Sequence, residues 1–255
     1  MLYLFKALIA AHAVAGATGL IAFWVPVLAR KGGKRHRTWG RVFAYALLAA
    51  GGLAFVMSLM TIAAPWQTHP HLRNGPLDEP TLTGLFGWLM LYLGTLTMSL
   101  AWFGLECVLN KRNHAANRHW LNIGLQIAAP IAATMCAYQG WQTGQAIMFG
   151  VAPVGFASSW INLSYIFTSA PEPGAYLQQH SRALIGAGIS IYRAFLAFGA
   201  VQHTPSHAFN PTMWSVPSIV GIGLVLHYKA KPAAVALPRV VPVTAQNPPG
   251  TSYSA

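Results

Sequence analysis

Two ionisable side chains lie inside long apolar segments of this sequence, where a charge is costly. His12 falls within residues 4–29, and Arg193 falls near the middle of residues 182–201. A charged group at the centre of a membrane helix costs about 2.5–3.5 kcal/mol on insertion scales. Each side chain therefore needs a partner. For His12 that partner is a cofactor, a proton path, or a neighbouring helix that accepts a hydrogen bond from a neutral imidazole.

Arg193 keeps its proton in proteins. Its guanidinium must therefore face a counter-charge, backbone carbonyls, water or an anionic ligand. Glu106 is the acid that could balance it, although Glu106 lies at the inner end of another segment. The sequence leaves open a structural ion pair and a contact with an anion such as a propionate or a substrate carboxylate.

Further histidines cluster at one end of the apolar segments. They are His36, His114, His119, His180 and His227. Two imidazoles from neighbouring helices suit a b-type haem, and three with an open position suit zinc; loop histidines that only titrate in water are the alternative. The predicted cofactor-binding residues are His12, His36, His119, His180 and Arg193. Haem is the candidate cofactor, no separate metal site is predicted, and the catalytic residues are unknown.

Polar residues also recur at helical spacing in three segments. One stripe is His119, Asn122 and Gln126, the second is Tyr92, Ser99 and Glu106, and the third is Ser158, Asn162 and Tyr165. Residues three, four or seven apart share one face of a helix. The stripes predict a polar interior shared by the three helices, which would be a ligand cavity or a set of interhelical hydrogen bonds.

The elements that position these residues are apolar segments of membrane-spanning length. Only 8% of the residues are charged and the mean hydropathy is +0.45, whereas a soluble domain has about 25% charged residues. A helix needs about 20 apolar residues to cross a bilayer. The predicted spans are 4–29, 42–64, 82–106, 120–141, 146–167, 182–201 and 213–228. The sequence therefore predicts an all-α, polytopic membrane helix bundle with about seven transmembrane helices.

Basic residues predict the orientation of this bundle. Thirteen of the 16 Lys and Arg residues fall in gaps that lie on one side of a seven-span arrangement. Because Lys and Arg are enriched in cytoplasmic loops, the N-terminus is predicted outside and the C-terminus inside. The same rule explains the net charge of +12 without nucleic acid, and the lipid bilayer is the one predicted partner. Residues 1–231 form the predicted bundle, and the proline-rich residues 232–255 form a predicted disordered cytoplasmic tail.

Several function classes lack their signatures. The sequence contains no G-x-x-x-x-G-K-[ST], no G-x-S-x-G and no H-E-x-x-H motif, which are typical of nucleotide-binding loops, serine hydrolases and zinc proteases. With four acidic residues in the whole chain, a hydrolase with two catalytic carboxylates is nearly excluded.

Two motifs resemble a known family. One is KGGKRHRTWGR, residues 31–41, and the other is HSRALIGAGISIYRAFLAFG, residues 180–199, which is followed by a P-x-x-x-G stretch from Pro217 to Gly221. Together they resemble bacterial multi-pass membrane proteins that carry the domain of unknown function two-three-zero-six, over most of residues 8–228. The resemblance implies a bacterial inner membrane location and no particular activity. The family often has Thr at the position of Arg193, which makes Arg193 a departure.

Three hypotheses follow. The first is a membrane protein that binds haem, metal or quinone at a polar, histidine-bearing site in its inner half, in a redox-linked role. The second is a small-solute transporter or permease built on the polar stripes. The third is a non-catalytic assembly partner whose basic inner loops dock another protein. Whether the protein is an enzyme stays open at this point.

Overall fold

The apolar segments form helices throughout the computed structural model, which describes residues 1–196 and 211–230. These residues contain no β-strand. The predicted tail, 232–255, and residues 197–201 at the end of the predicted span 182–201 lie outside the described residues. The predicted all-α fold is therefore confirmed for the described part of the chain.

Seven main helices follow one another along the chain. They are α1 (Leu2–Leu28), α2 (Lys34–Ala63), α3 (Glu79–Leu109), α4 (Trp120–Thr143), α5 (Ala146–Phe167), α6 (Ala175–Ala194) and α7 (Pro211–Ala230). Short helical turns at Pro65–Thr68, Pro70–Leu72 and His114–Asn117 lie between them. Within α3, residues Thr83–Leu89 form a wider π-helical segment.

Helices α1 to α5 are long and apolar enough to cross a bilayer. Their outward surface carries large apolar side chains, with Leu28 80% exposed and Trp160 76% exposed. Such a surface is unfavourable in water and suits lipid. The chain is thus a helical protein with five candidate membrane spans among its described residues. Two of the seven predicted spans, 182–201 and 213–228, fall on α6 and α7, which do not reach that length and hydropathy in the described residues.

Helices α2 and α6 begin about two turns before their predicted spans. Helix α2 begins at Lys34 and its span at residue 42, while α6 begins at Ala175 and its span at residue 182. In both cases the first turns are polar, so the hydropathy pattern did not include them. Consequently Arg182, the first residue of the predicted span, lies in the second turn of α6.

Helix α3 lies at the centre of the bundle. It packs against α2, α4 and α6, while α1 packs on α2 and α5 packs on α4. Its side chains Tyr92 and Phe103 are fully buried. Gly51 of α2 and Gly94 of α3 meet at the crossing of their helices. A Cβ on either glycine would lie 2.9 Å from the carbonyl oxygen of the other, so these two positions need glycine for the backbones to approach.

Candidate cofactor site

His36 and His180 come together at the ends of two helices that are far apart in sequence. Their ring centroids are 6.3 Å apart and their planes are inclined by 65°. His36 lies in the first turn of α2, and His180 lies in the second turn of α6. Both side chains are half-buried. This is the one pair within the predicted set whose rings the structure brings into contact.

Each of the two imidazoles is held by a backbone carbonyl from a third and a fourth helix. His36 donates from Nδ1 to Pro26 O of α1 at 3.0 Å, and His180 donates from Nδ1 to Gly104 O of α3 at 2.7 Å. A carbonyl oxygen can only accept, so Nδ1 carries the proton in both rings. The Nε2 atoms then keep their lone pairs. Neither Nε2 has a hydrogen-bond partner in the parts of the chain that the structure describes.

The end of α1 explains why Pro26 can accept from His36. Carbonyls in the last turn of a helix have no partner within that helix. Helix α1 ends at Leu28, and Lys31 folds back to donate from Nζ to Pro26 O at 2.8 Å and to Val27 O at 2.6 Å. Gly32, with φ of +75°, makes the turn that returns the chain towards α2. His36 completes this cap.

A glycine in α3 explains how His180 reaches its acceptor. A Cβ on Gly104 would lie 2.9 Å from Leu184 Cγ and 3.2 Å from Ala183 Cβ, both on α6. The missing side chain lets α6 lie close to α3. The backbone carbonyl of Gly104 is thereby exposed to the imidazole of His180.

His119 belongs to a different cluster. Its Nε2 lies 3.1 Å from Glu106 Oε2, and Asn110 Nδ2 donates to the same carboxylate oxygen at 2.6 Å. The side chain of Trp102 packs near the imidazole, with ring centroids 6.2 Å apart. His119 is therefore engaged by an acid, and its ring is not placed against that of His180.

His12 and Arg193 each bond to a neighbouring helix. His12 donates from Nδ1 to Ala50 O of α2 at 2.9 Å, which is the interhelical hydrogen bond considered in the sequence analysis. Arg193 donates to Ser218 Oγ of α7. Glu106, the acid considered as its counter-charge, is bonded to His119 and Asn110. Thus neither side chain joins the pair formed by His36 and His180.

The three polar stripes meet in the interior of the bundle. They are joined there by Arg182, which is not among the predicted site residues. Ser99 Oγ of α3 and Asn162 Nδ2 of α5 both donate to Gln126 Oε1 of α4, each at 2.8 Å. Arg182 of α6 donates to Asn162 Oδ1 at 2.6 Å. Ser99, Gln126 and Asn162 are fully buried. The polar atoms bond to one another, which favours an interhelical clamp over an open solute path.

Arg182 could have been found from the sequence. It lies two residues after His180, and the stretch AYLQQHSR has no helix breaker after Gly174. Extending the sixth helix back to Ala175 places Arg182 about two turns inside the helix instead of at its first residue. The hydropathy pattern did not indicate this extension, because the first turns of α6 are polar.

A separate histidine lies at the opposite end of the bundle, in the segment between α2 and α3. The imidazole of His69 is buried against Phe5 of α1 and Phe86 of α3, with ring centroids 5.2 and 5.0 Å away. Burial, together with repulsion from His71, lowers the pKa of His69 to about 4. Trp66 Nε1 donates to Glu79 Oε2 at 2.6 Å beside it. We name residues 65–79 the outer cap, after the side on which the sequence predicts them.

The described residues hold no group of three or more His, Cys, Asp or Glu side chains that could bind a metal ion. No family model, no curated protein and no solved structure matches the chain. The resemblance to the family of unknown function stays a prediction.

Proposed function

We propose that this chain is an integral protein of the bacterial inner membrane that binds haem between His36 and His180 and serves a redox-linked role. The observation that carries the proposal is the convergence of these two imidazoles, with each Nδ1 fixed on a backbone carbonyl and each Nε2 available. Histidines that ligate metals typically donate their other ring nitrogen to a carbonyl or carboxylate, which fixes the ring and its tautomer. Both rings meet that condition.

The two rings lie close enough for one group to be held by both. Their centroids are 6.3 Å apart, and a metal–imidazole bond is about 2 Å long for zinc. The side chains of His36 and His180 would hold the haem iron through Nε2.

The number of ligands distinguishes haem from a bare ion. A structural zinc site takes four protein ligands and a catalytic one takes three, whereas the described residues provide no group of three. Haem iron receives four nitrogens from the macrocycle and needs only axial ligands from the protein. When bound, haem would supply one-electron chemistry. The chain's own contribution would be to hold both imidazoles in orientation through Pro26 O and Gly104 O.

The two resembling motifs support family membership, which we also propose. His36 lies in the first motif, residues 31–41, and His180 opens the second, residues 180–199. The first motif ends at residue 41 and the second begins at residue 180, which is 139 positions later. Their histidines nevertheless contact one another, which would explain why the two motifs occur together.

We further propose seven spans, with the N-terminus outside and the C-terminus in the cytoplasm, surrounded by the lipid of the inner membrane. The distribution of Lys and Arg supports this arrangement. Cysteine-accessibility labelling in intact cells tests it. Residues 31–37 should be shielded from an impermeant reagent, and residues 73–77 of the outer cap should react. The reverse pattern would contradict the orientation.

Absorption spectroscopy with iron analysis tests haem binding. Protein purified in detergent from cells supplied with haem should show a Soret band and about one iron per chain. His36→Ala and His180→Ala should each lose most of the band. His119→Ala is the matched control, since His119 lies in the same half of the bundle but is bonded to Glu106, and it should keep the band. Wild-type protein without a Soret band or iron would refute the proposal.

A further inference from the structure

A groove opens at the turn between α1 and α2, on the outside of the bundle. Its volume is about 600 Å³. One part of the lining is apolar, from Val25, Leu28 and Ala29, and the other part is basic. The basic side chains are Arg30, Lys34 and Arg35, and Gly33 lies between the two parts. Apolar and cationic surfaces thus meet within a single concavity.

The three basic side chains have no acidic partner. Arg30, Lys34 and Arg35 are all exposed, and none forms a hydrogen bond or an ion pair with any residue that the structure describes. The neighbouring Lys31 is different, because its ammonium group caps the carbonyls of α1. The groove therefore presents three positive charges that the fold does not neutralise.

The start of α2 adds to this positive potential. Gly33 is the N-cap of α2 and supplies no side-chain acceptor. The first N–H groups of a helix lack partners within it and carry partial positive charge. An anion in the groove would thus meet side-chain charges and helix N–H groups on the same side.

We propose that this groove binds the phosphate headgroup of an anionic phospholipid, with an acyl chain lying along Val25 and Leu28. A phospholipid has an apolar part and an anionic part at a fixed separation, which matches the two parts of the lining. The end of a spanning helix lies near the boundary between hydrocarbon and headgroups. Leu28 is 80% exposed, as expected for a side chain that contacts lipid, and basic side chains at helix ends extend towards headgroups.

Lipid retention measured by native mass spectrometry tests the proposal. Detergent-purified full-length protein is titrated with phosphatidylglycerol or with phosphatidylcholine of the same acyl chains. The wild-type protein should retain one phosphatidylglycerol at least about tenfold more tightly than phosphatidylcholine. A basic residue near an anionic surface contributes a factor of about five, so Arg30→Gln/Lys34→Gln/Arg35→Gln should weaken retention by about a hundredfold.

The matched control removes the same number of charges outside the groove. Arg37→Gln/Arg41→Gln/Arg112→Gln should keep the tight lipid, since none of these residues lines it. A second variant, Ala29→Trp, keeps every charge and fills the groove, and it should also lose the lipid. This variant tests the proposal even if the triple variant fails to fold. Equal loss in both triple variants would overturn the proposal, because it would indicate diffuse surface attraction.

Two further results show whether the groove binds a phospholipid or a soluble phosphate ester. Glycerol 3-phosphate at the same concentration should not displace the lipid, because it lacks the acyl chain. Full displacement by glycerol 3-phosphate, or equal retention of phosphatidylcholine, would overturn the lipid assignment. The readout does not depend on haem, so absence of a Soret band would leave this result unaffected.

Discussion

His180 donates its Nδ1 proton to the carbonyl oxygen of Gly104 at 2.7 Å. The contact joins α6 to the central helix α3 at a point where α3 has no side chain. Because His36 is held in the same way by Pro26 O, four helices fix one pair of imidazoles. The histidine pair is thus a consequence of how α1, α2, α3 and α6 pack, and changes in that packing should be visible at the pair.

The first prediction concerns Gly104. In Gly104→Ala the new Cβ would lie 2.9 Å from Leu184 Cγ and 3.2 Å from Ala183 Cβ, so α6 must shift away from α3. Overpacking of this kind costs about 1–3 kcal/mol. We expect a lower melting temperature in detergent, and a weaker Soret band if haem is bound. Gly124→Ala is the control: its Cβ would meet nothing within 4 Å, and Ala is the better helix former by about 1 kcal/mol. Equal melting temperatures for Gly104→Ala and Gly124→Ala would contradict the prediction.

The second prediction concerns the crossing of α2 and α3. In Gly51→Ala the new Cβ would lie 2.9 Å from Gly94 O, a backbone atom that cannot move independently of its helix. The variant should unfold at a lower temperature, with a loss of about 1–3 kcal/mol. Gly52→Ala, one residue along, would meet only Met98 Sδ at 3.9 Å. It should melt at or above the wild-type temperature, because Ala is the better helix former. The thermal denaturation of both variants is monitored by the loss of the monodisperse peak in size-exclusion chromatography. A Gly51→Ala variant as stable as Gly52→Ala would disprove the close approach.

The third prediction concerns the buried bond between Gln126 and Asn162. A double-mutant cycle with Gln126→Leu and Asn162→Leu should give a coupling energy near 0.6 kcal/mol and below about 1.7 kcal/mol, the range found for hydrogen bonds between membrane helices. Asn162→Leu should be the more destabilising single variant, because it leaves the charged Arg182 without its acceptor, whereas Gln126→Leu removes the partner of the neutral Ser99. A hydrogen bond to a charged group contributes more than a neutral one. Unfolding in mixed micelles with increasing denaturing detergent measures the free energies. A coupling of zero would show that the two side chains do not interact.

How much of this structure could be predicted from the sequence depends on whether the contacts are local or join distant parts of the chain. The hydrogen bonds of a helix join residues that are close in the chain, so runs of apolar residues indicated where α1 to α5 lie. The predicted starts of α2 and α6 were late by about two turns, because the turns that begin at Lys34 and Ala175 are polar and hydropathy assigns such turns to loops. The shared polar interior was predicted from helical spacing within three separate segments. In the structure Ser99, Gln126 and Asn162 are joined by hydrogen bonds, which is one of the two alternatives that the spacing left open.

The histidine pair shows what local patterns cannot give. The sequence identified His36, His119 and His180 as one group at one end of the bundle, and spacing alone could not decide which two would meet. That choice depends on α6 packing against α3 through Gly104 and on α1 turning back at Gly32. Both are contacts between segments that are distant in the chain, and a single sequence carries no direct record of them.

The fourth prediction concerns acid and the outer cap. Burial and repulsion from His71 lower the pKa of His69 to about 4 in the folded protein, whereas the ordinary pKa of histidine, 6.5, applies in the unfolded chain. Between these two values the unfolded state binds more protons than the folded state, so the free energy of unfolding falls as the pH is lowered. The stability that the neutral imidazole contributes is complete above pH 6.5 and is lost as the pH falls through this window towards 4.

Lowering the pH from 7 to 5 should therefore release the outer cap in the wild-type protein. Once the rates are corrected for the pH dependence of intrinsic amide exchange, hydrogen exchange of residues 65–72 should accelerate. Trp66 fluorescence should change as its contact with Glu79 loosens. His69→Phe retains an aromatic ring between Phe5 and Phe86 but cannot titrate, so its exchange should vary little over the same range. His71→Ala removes a repulsive neighbour, so the pKa of His69 in the folded protein should rise towards that of the unfolded chain. The gap between the two states then narrows, and acidification should accelerate exchange less in this variant than in the wild type. If His69→Phe showed the same acceleration as the wild type, the transition would belong to another group.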